Sequence, residues 1–267
     1  VLRPCARLLA ITGAGVSTSS GIPDYRSPHR PPYNPLRHSQ FMESAAVRRR
    51  YWARSFVGYR RMNVARPNAA HFALLELEHM GRLTAVITQN VDRLHQTAGQ
   101  HNILELHGTI HDVECLACKA TYSRTRVQRF MAKDNARWLQ RHSHSTVVRP
   151  DGDADIPEEA YEEFVTPGCP MCGAAMLKPL VVFHGGSIPR STSEYALSLA
   201  DGCDAMLVAG SSLSTWSALR LAKRVAEAGK PVVLFVHGPT RADDFATMKV
   251  DGPVTDALTA LVENLKA

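Results

Sequence analysis

Apolar, β-branched runs recur along the chain at Arg7 to Thr12, Leu83 to Thr88, Leu177 to Phe183, Ala205 to Ala209 and Pro231 to Val236, with helical patterns between several of them. Runs that are apolar on both faces suit strands buried within a parallel sheet, and their alternation with helices predicts a doubly wound α/β architecture. Ala69 to Met80, carrying Leu74, Leu75 and Leu77, predicts an amphipathic helix opened by Pro67 and Asn68 and closed by Gly81. Ser214 to Gly229 and Thr255 to Lys266 have the same pattern. Two stretches break the alternation. Ser27 to Pro35, rich in proline and arginine, predicts a mobile loop that leads into a helix from about Gln40 to Tyr59. His111 to Pro179 holds two cysteine pairs around the polar segment Arg149 to Pro157 and predicts a small inserted module.

Composition narrows this picture. At 267 residues and 45% hydrophobic content the chain can bury a sizeable core, which excludes disordered and fibrous classes. No apolar stretch approaches the ~20 residues of a bilayer span, so no membrane partner is expected. The formal charge of +6 has one local concentration, at Arg48, Arg49, Arg50, Arg54, Arg60 and Arg61. Such a cluster reads first as a solvated helix face. No nucleic-acid motif accompanies it, so sequence-specific nucleic-acid binding is not expected, while attraction for acidic substrates stays open.

Four of the six cysteines form Cys115-x-x-Cys118 and Cys169-x-x-Cys172, whereas Cys5 and Cys203 stand alone in apolar surroundings as small core residues. Two such pairs supply all four thiolates of a closed, structural Zn²⁺ site. About fifty residues separate them, so the intervening segment is expected to loop out between the two knuckles. Redox-active dithiols or disulfides are the alternative.

Candidate chemistry gathers at the predicted strand ends. After the first strand, Gly13 and Gly15 let backbone amides approach a pyrophosphate at the start of a following helix. Thr18 stands where the usual dinucleotide fingerprint has a third glycine, and an acid comes early, at Asp24, followed by Tyr25 and Arg26. Gln89, Asn90 and Asp92 follow the second strand, and His107 follows a third apolar segment. In an open parallel sheet these positions face the ligand crevice. Asn90 can donate and accept, Asp92 can accept from an amide, and His107 can take a proton near neutral pH. Each alone also reads as a cap, a turn residue or a surface imidazole; together they point to one site. His71, His79, His95 and His101 read as structural or surface groups.

Taken as a set, Gly13 to Ser27, Gln89 to His95, His107-Gly108, the two cysteine pairs, Lys178 to Gly185, Gly210 to Leu213 and Gly238 to Asp244 closely resemble the sirtuins, NAD-dependent protein-lysine deacylases. The resemblance implies a Rossmann-like NAD-binding domain from residues 1–26, 66–110 and 180–267. It further implies a cofactor loop and helical module over 27–65 and a zinc-binding module over 111–179. Gly13, Ala14, Gly15 and Ser17 would hold the pyrophosphate, and Asp24, Tyr25 and Arg26 would close over the nicotinamide end. Gln89 and Asn90 would contact the nicotinamide ribose, Asp92 the carboxamide, and Gly210, Ser211 and Ser212 the adenosine half. His107 would be the general base, with Asn90 and Asp92 completing the catalytic set. Val181, Val182 and Phe183 would pair with an acyl-lysine substrate as an added strand. The implied products are lysine, nicotinamide and O-acyl-ADP-ribose.

Tyr51 and Arg54, three apart on one helical face, can jointly grip a carboxylate. They resemble the Tyr-x-x-Arg pair of class II sirtuins, and their surroundings resemble the mitochondrial lipoamidase-type branch and its bacterial relatives. This leads to an expectation of carboxylate-bearing or longer acyl chains as well as acetyl; a helix that merely packs the small domain is the plainer reading. Three positions depart from the family pattern: Val236 replaces an asparagine, His184-Gly185-Gly186 replaces an aromatic and an acid, and Thr215 and Trp216 replace small apolar residues. A mono-ADP-ribosyltransferase and a non-catalytic NAD-responsive protein are the competing functions. The chain is expected to act as a monomer, in the cytoplasm of a bacterium or, after loss of a presequence, in the mitochondrial matrix.

Overall fold

The computed structural model describes residues 1–25, 35–142 and 149–267. Its strands are β1 (Leu8–Thr12), β2 (Leu83–Thr88), β3 (Ile103–Glu105), β4 (Gly108–Cys115), β5 (Thr121–Ser123), β6 (Leu177–Val181), β7 (Ala205–Ala209), β8 (Val232–Phe235) and β9 (Met248–Val250). The chain divides into two compact units. The first comprises Val1–Asp24, Arg66–His107 and Ile188–Ala267; the second comprises Tyr25–Ala65 and Gly108–Ser187.

The first unit is built on a parallel six-stranded sheet in the order β3-β2-β1-β7-β8-β9. Its inner strands are buried on both faces: every residue of β1 and of β7 is inaccessible to solvent. That explains their apolar sequences, broken only by Thr12, since burying each Leu, Ile, Val or Met side chain contributes roughly 1.5–3 kcal/mol. One apolar layer, with Leu9, Ile11, Met206 and Val208, lies under the helix Trp216–Glu227. The other, with Leu8, Ala10, Leu74 and Leu258, lies under Ala69–His79 and Val254–Lys266. Asn68 caps the helix Ala69–His79 by accepting from the Ala70 amide at 2.8 Å, and Gly81 closes it at φ 66°.

The second unit holds the antiparallel sheet β5-β4-β6 and the twenty-residue helix Ala45–Val64. The run Leu177 to Phe183 is therefore no member of the parallel sheet. β6 pairs antiparallel with β4, and at Gly108, with φ 76°, a side chain would collide with the Leu180 carbonyl. The segment between the cysteine pairs does not simply loop out. Helices Arg124–Asp134 and Ala136–His142 and residues 149–167 build the core of this unit, packing Trp138, Ile156, Ala160 and Phe164 against Trp52 and Phe56. No helix among the described residues is long and apolar enough to cross a membrane.

Candidate active site

The order of the parallel sheet reverses between β1 and β7, and a ligand crevice lies beyond the carboxyl ends of strands at such a point. Here the two strand ends are stitched together: the Gly13 amide donates to Ala209 O at 3.1 Å and the Gly15 amide to Gly210 O at 2.9 Å. A Cβ on Gly13 would lie 2.8 Å from Gly210 O, and one on Gly15 would lie 2.8 Å from Gly210 Cα. The glycines thus permit the approach of two backbones, and their own amides are already engaged within the protein. The turn continues as two short 3-10 segments, Ala14–Val16 and Thr18–Ser20, rather than as the start of an α-helix. Thr18 in place of a third glycine fits this, because no long helix has to pack closely at that point.

Around this turn lies a connected set of polar side chains. Ser17 is fully buried and donates to Asp92 Oδ2 at 2.7 Å, while Asp92 Oδ1 accepts from the Leu94 amide at 2.9 Å. Burial pushes the Asp92 carboxyl above its ordinary range, and these two donors oppose the shift. Asn90 Nδ2 donates to Gly13 O and to Ser17 Oγ, each at 3.1 Å. Gln89 Nε2 donates to Ser211 Oγ at 2.7 Å and to Thr12 O at 3.3 Å, and Gln89 Oε1 accepts from Thr215 Oγ1 at 3.2 Å. Ser217 donates to Thr215 at 3.2 Å and lies 2.9 Å from His107 Nε2. Half-buried Gln89, Asn90 and Ser212 lie at the stitched turn or next to it in sequence, and half-buried His107 is joined to Gln89 through Ser217 and Thr215. That donor set suits a ligand rich in hydroxyls and phosphate oxygens.

In the second unit, the Sγ atoms of Cys115, Cys118, Cys169 and Cys172 all lie within 4.8 Å of one another, with Cys115–Cys172 at 3.7 Å and Cys118–Cys169 at 3.6 Å. All four are free thiols. A Zn–S bond of ~2.3 Å gives a tetrahedron whose edges are roughly 3.8 Å, so the quartet fits Zn²⁺ and is too open for disulfides. Each knuckle closes through a left-handed residue, Lys119 at φ 65° and Gly173 at φ 73°.

The same unit places Arg54 among carboxylates of its own chain. Arg54 Nε lies 3.6 Å from Asp153 Oδ2, its Nη2 lies 3.5 Å from Asp155 Oδ1, and Nε also donates to Ala154 O at 3.2 Å. Burial works against the Arg54 charge, yet Asp153 and its neighbours Asp151 and Asp155 hold the pKa above its ordinary value. Tyr51 is buried against Phe41, Trp52 and Phe183 and accepts from Ser55 Oγ at 3.4 Å.

The Sir2 family matches residues 13–217, more than half of the chain. The chain belongs to the Sir2 family. It is 43% identical over 259 residues to the NAD-dependent protein deacylase SIR4 of Monosiga brevicollis, covering 96% of this chain and 84% of that one. It is 44% identical over 259 residues to an NAD-dependent protein deacetylase of Xanthomonas campestris, covering 96% and 86%. A solved structure described as "Sir2-p53 peptide-NAD+" superposes with a TM-score of 0.78 at 30% identity, covering 98% of this chain and 95% of that one.

In this Sir2-family chain the strand-end residues named from sequence fall together, and several do so in unexpected roles. Ser17 turns inward to Asp92 rather than outward to a phosphate, and the Gly13 and Gly15 amides bond within the protein. Gly210 takes φ 62° beside the turn, Ser211 is buried on Gln89, and the Ser212 carbonyl accepts from the Arg241 amide. Asp24 is half-buried at the end of one stretch of the first unit, Tyr25 is exposed, and Arg26 lies outside the described residues. Val181, Val182 and Phe183 are half-buried at the end of β6, an edge strand. Val236 packs into the core of the first unit. Thr215 and Ser217 were not foreseen as site residues; the hydroxyls crowded behind the Gly210 turn were their signal. Of the Tyr51–Arg54 pair, Arg54 faces carboxylates of its own chain and the Tyr51 phenol is packed among aromatic rings.

Proposed function

We propose that this Sir2-family protein is an NAD-dependent protein-lysine deacylase. The observation that carries the reading is the convergence of Gln89, Asn90 and Asp92 on the stitched turn of Gly13 and Gly210, with His107 joined to Gln89 through Ser217 and Thr215. When bound there, NAD would supply a ribose carbon able to accept the acyl oxygen, with nicotinamide as the leaving group, and water would then release the lysine amine and leave O-acyl-ADP-ribose. His107 accepts a proton from a ribose hydroxyl, a task worth roughly 10²–10⁴-fold for a positioned imidazole. Asn90 orients the ribose, Asp92 holds Ser17 and Leu94 in place and accepts from the carboxamide, and Gln89 and Ser211 fix the floor of the site. Gly13, Ala14 and Gly15 shape the pyrophosphate bed, and Ser212 lies toward the adenosine half. The free edge of β6 and the following Val182 and Phe183 suit an extended substrate added as a strand. Cys115, Cys118, Cys169 and Cys172 hold a structural Zn²⁺ with no open position for chemistry.

The acyl group we assign is an uncharged one, acetyl or longer. Asp153 and Asp155 already balance Arg54, so an acidic acyl tail finds no unmatched cation at that position. Nicotinamide release is measured with acetyl, longer uncharged and carboxylate-bearing acyl-lysine peptides. Release that requires a peptide, yields O-acyl-ADP-ribose and favours uncharged chains by about 10-fold or more is expected. Labelled protein without acyl loss, or faster turnover of acidic acyl groups, overturns the respective part.

A further inference from the structure

Thr215 sits at the N-cap of the helix Trp216–Glu227, where a threonine hydroxyl ordinarily bonds the helix's own amides, yet its side chain makes no cap bond. The hydroxyl points instead into the chain of contacts that joins Gln89 to His107. The direction of that chain is fixed from one end. Gln89 Nε2 donates to the carbonyl of Thr12, which can only accept, so Oε1 is the atom facing Thr215. An amide oxygen cannot donate, so the Thr215 hydroxyl gives its proton to Gln89 and accepts from Ser217. Ser217, having donated its one proton, can only accept from His107 Nε2, 2.9 Å away.

We infer that Ser217 is a positioning residue for His107: acting through Thr215 and Gln89, it holds the neutral imidazole as the Nε2–H tautomer and leaves Nδ1 as the proton-accepting atom. Both the neutral and the protonated ring donate from Nε2, so uptake of a proton at Nδ1 leaves the links through Ser217, Thr215 and Gln89 unchanged. The site therefore needs no rearrangement of hydroxyls as the base is protonated. The link to catalysis rests on His107 being the base; the tautomer itself does not.

The test uses the full chain with ¹⁵N-labelled histidine, and His107 is assigned from the spectrum of His107→Gln. Long-range ¹H–¹⁵N correlations are expected to show Nε2 protonated and Nδ1 unprotonated. Ser217→Ala should give a mixture of tautomers, Thr215→Val should do the same by breaking the next link, and Ser217→Thr should restore the single form. Turnover of Ser217→Ala should fall about 3- to 10-fold in kcat, the worth of one hydrogen bond, with KM for NAD unchanged. A wild-type ring protonated at Nδ1, or one whose tautomer is indifferent to both substitutions, overturns the inference whether or not the protein deacylates. The expected tautomers with no acyl-dependent turnover would sustain this inference and remove the deacylase reading.

Discussion

Each of the two units holds a buried polar cluster, and the clusters are built from different materials. In the first, neutral dipoles predominate: hydroxyls of Ser17, Ser211, Thr215 and Ser217, amides of Gln89 and Asn90, an imidazole, and one carboxylate held by a hydroxyl and an amide. In the second, full charges predominate. Arg54 meets Asp153 and Asp155, Arg149 grips Asp155 at 3.0 and 2.7 Å, and Arg124 is fully buried over the rings of Trp52 and Tyr59. A neutral hydrogen bond contributes about 1 kcal/mol net and can be exchanged for one to a ligand at little cost. A buried ion pair cannot be opened from one side without stranding a charge at several kcal/mol. The first cluster is suited to receive a ligand; the second braces a helix to the segment that crosses it.

The strongest way to separate the units is through the cysteines. Structural zinc contributes roughly 10–16 kcal/mol of apparent binding energy in small zinc domains, so Cys169→Ala should release the metal and open the second unit. Amide hydrogen exchange should show protection lost in β4 and β6 and kept in β1, β2 and β7. Absence of zinc from the intact protein by elemental analysis, or unaltered protection in β4, would sink this expectation.

A smaller effect tests the brace itself. Burial and neighbouring Asp151 push the Asp153 carboxyl well above its ordinary range while Arg54 opposes them, so Arg54→Met leaves it with one fewer counter-ion and should destabilise the second unit by about 3 kcal/mol, the lower end for a broken buried pair because the carboxyl can take up a proton. Combining it with Asp153→Leu should recover most of that loss, since replacing both partners with apolar groups removes the stranded charge. A double variant as unstable as the single one would mean that the pair does not act as a unit, and urea unfolding followed by the fluorescence of Trp52 and Trp138 reads the difference.

How much of this was legible in the sequence follows the same division. The central strands announced themselves because burial on both faces demands largely apolar runs, interrupted in β2 by exposed Thr84, and β2 and β7 begin and end where those runs do. The strand-end residues were legible because a doubly wound sheet sends every such turn to one edge. What escaped was non-local. Pro179, with no amide to donate, marks Leu177 to Phe183 as an edge strand rather than a central one, but nothing in the run names β4 as its partner; pairing partner is a property of the whole fold. Arg54 read as an available cation because its counter-ions arrive from about a hundred positions later in the chain, at Asp153 and Asp155. The inward turn of Ser17 escaped for the same reason, since its partner Asp92 belongs to the loop after another strand.

The mildest test returns to the first unit, where two histidines stand behind the turn. His71 and His95 are buried with ring centroids 4.8 Å apart, and His95 Nε2 lies 3.0 Å from Thr12 Oγ1, directly before Gly13. Burial lowers the His71 pKa to about 3, with His95 adding to the shift, and lowers that of His95 to about 4 against the opposing Gln100 contact. In the unfolded chain both take protons near pH 6.5. Between that pH and about 4 the unfolded state binds more protons than the folded one, so stability is complete above pH 6.5 and falls as the solution is acidified. At pH 5 the loss should be about 2 kcal/mol for each histidine. His71→Leu should roughly halve the acid sensitivity of protection in β1 and β2 once intrinsic exchange is corrected for. Protection in those strands that is equal at pH 7 and pH 5 would show that the neutral pair does not underlie the turn, and the contrast between a dipolar first unit and a charged second one would lose its pH signature.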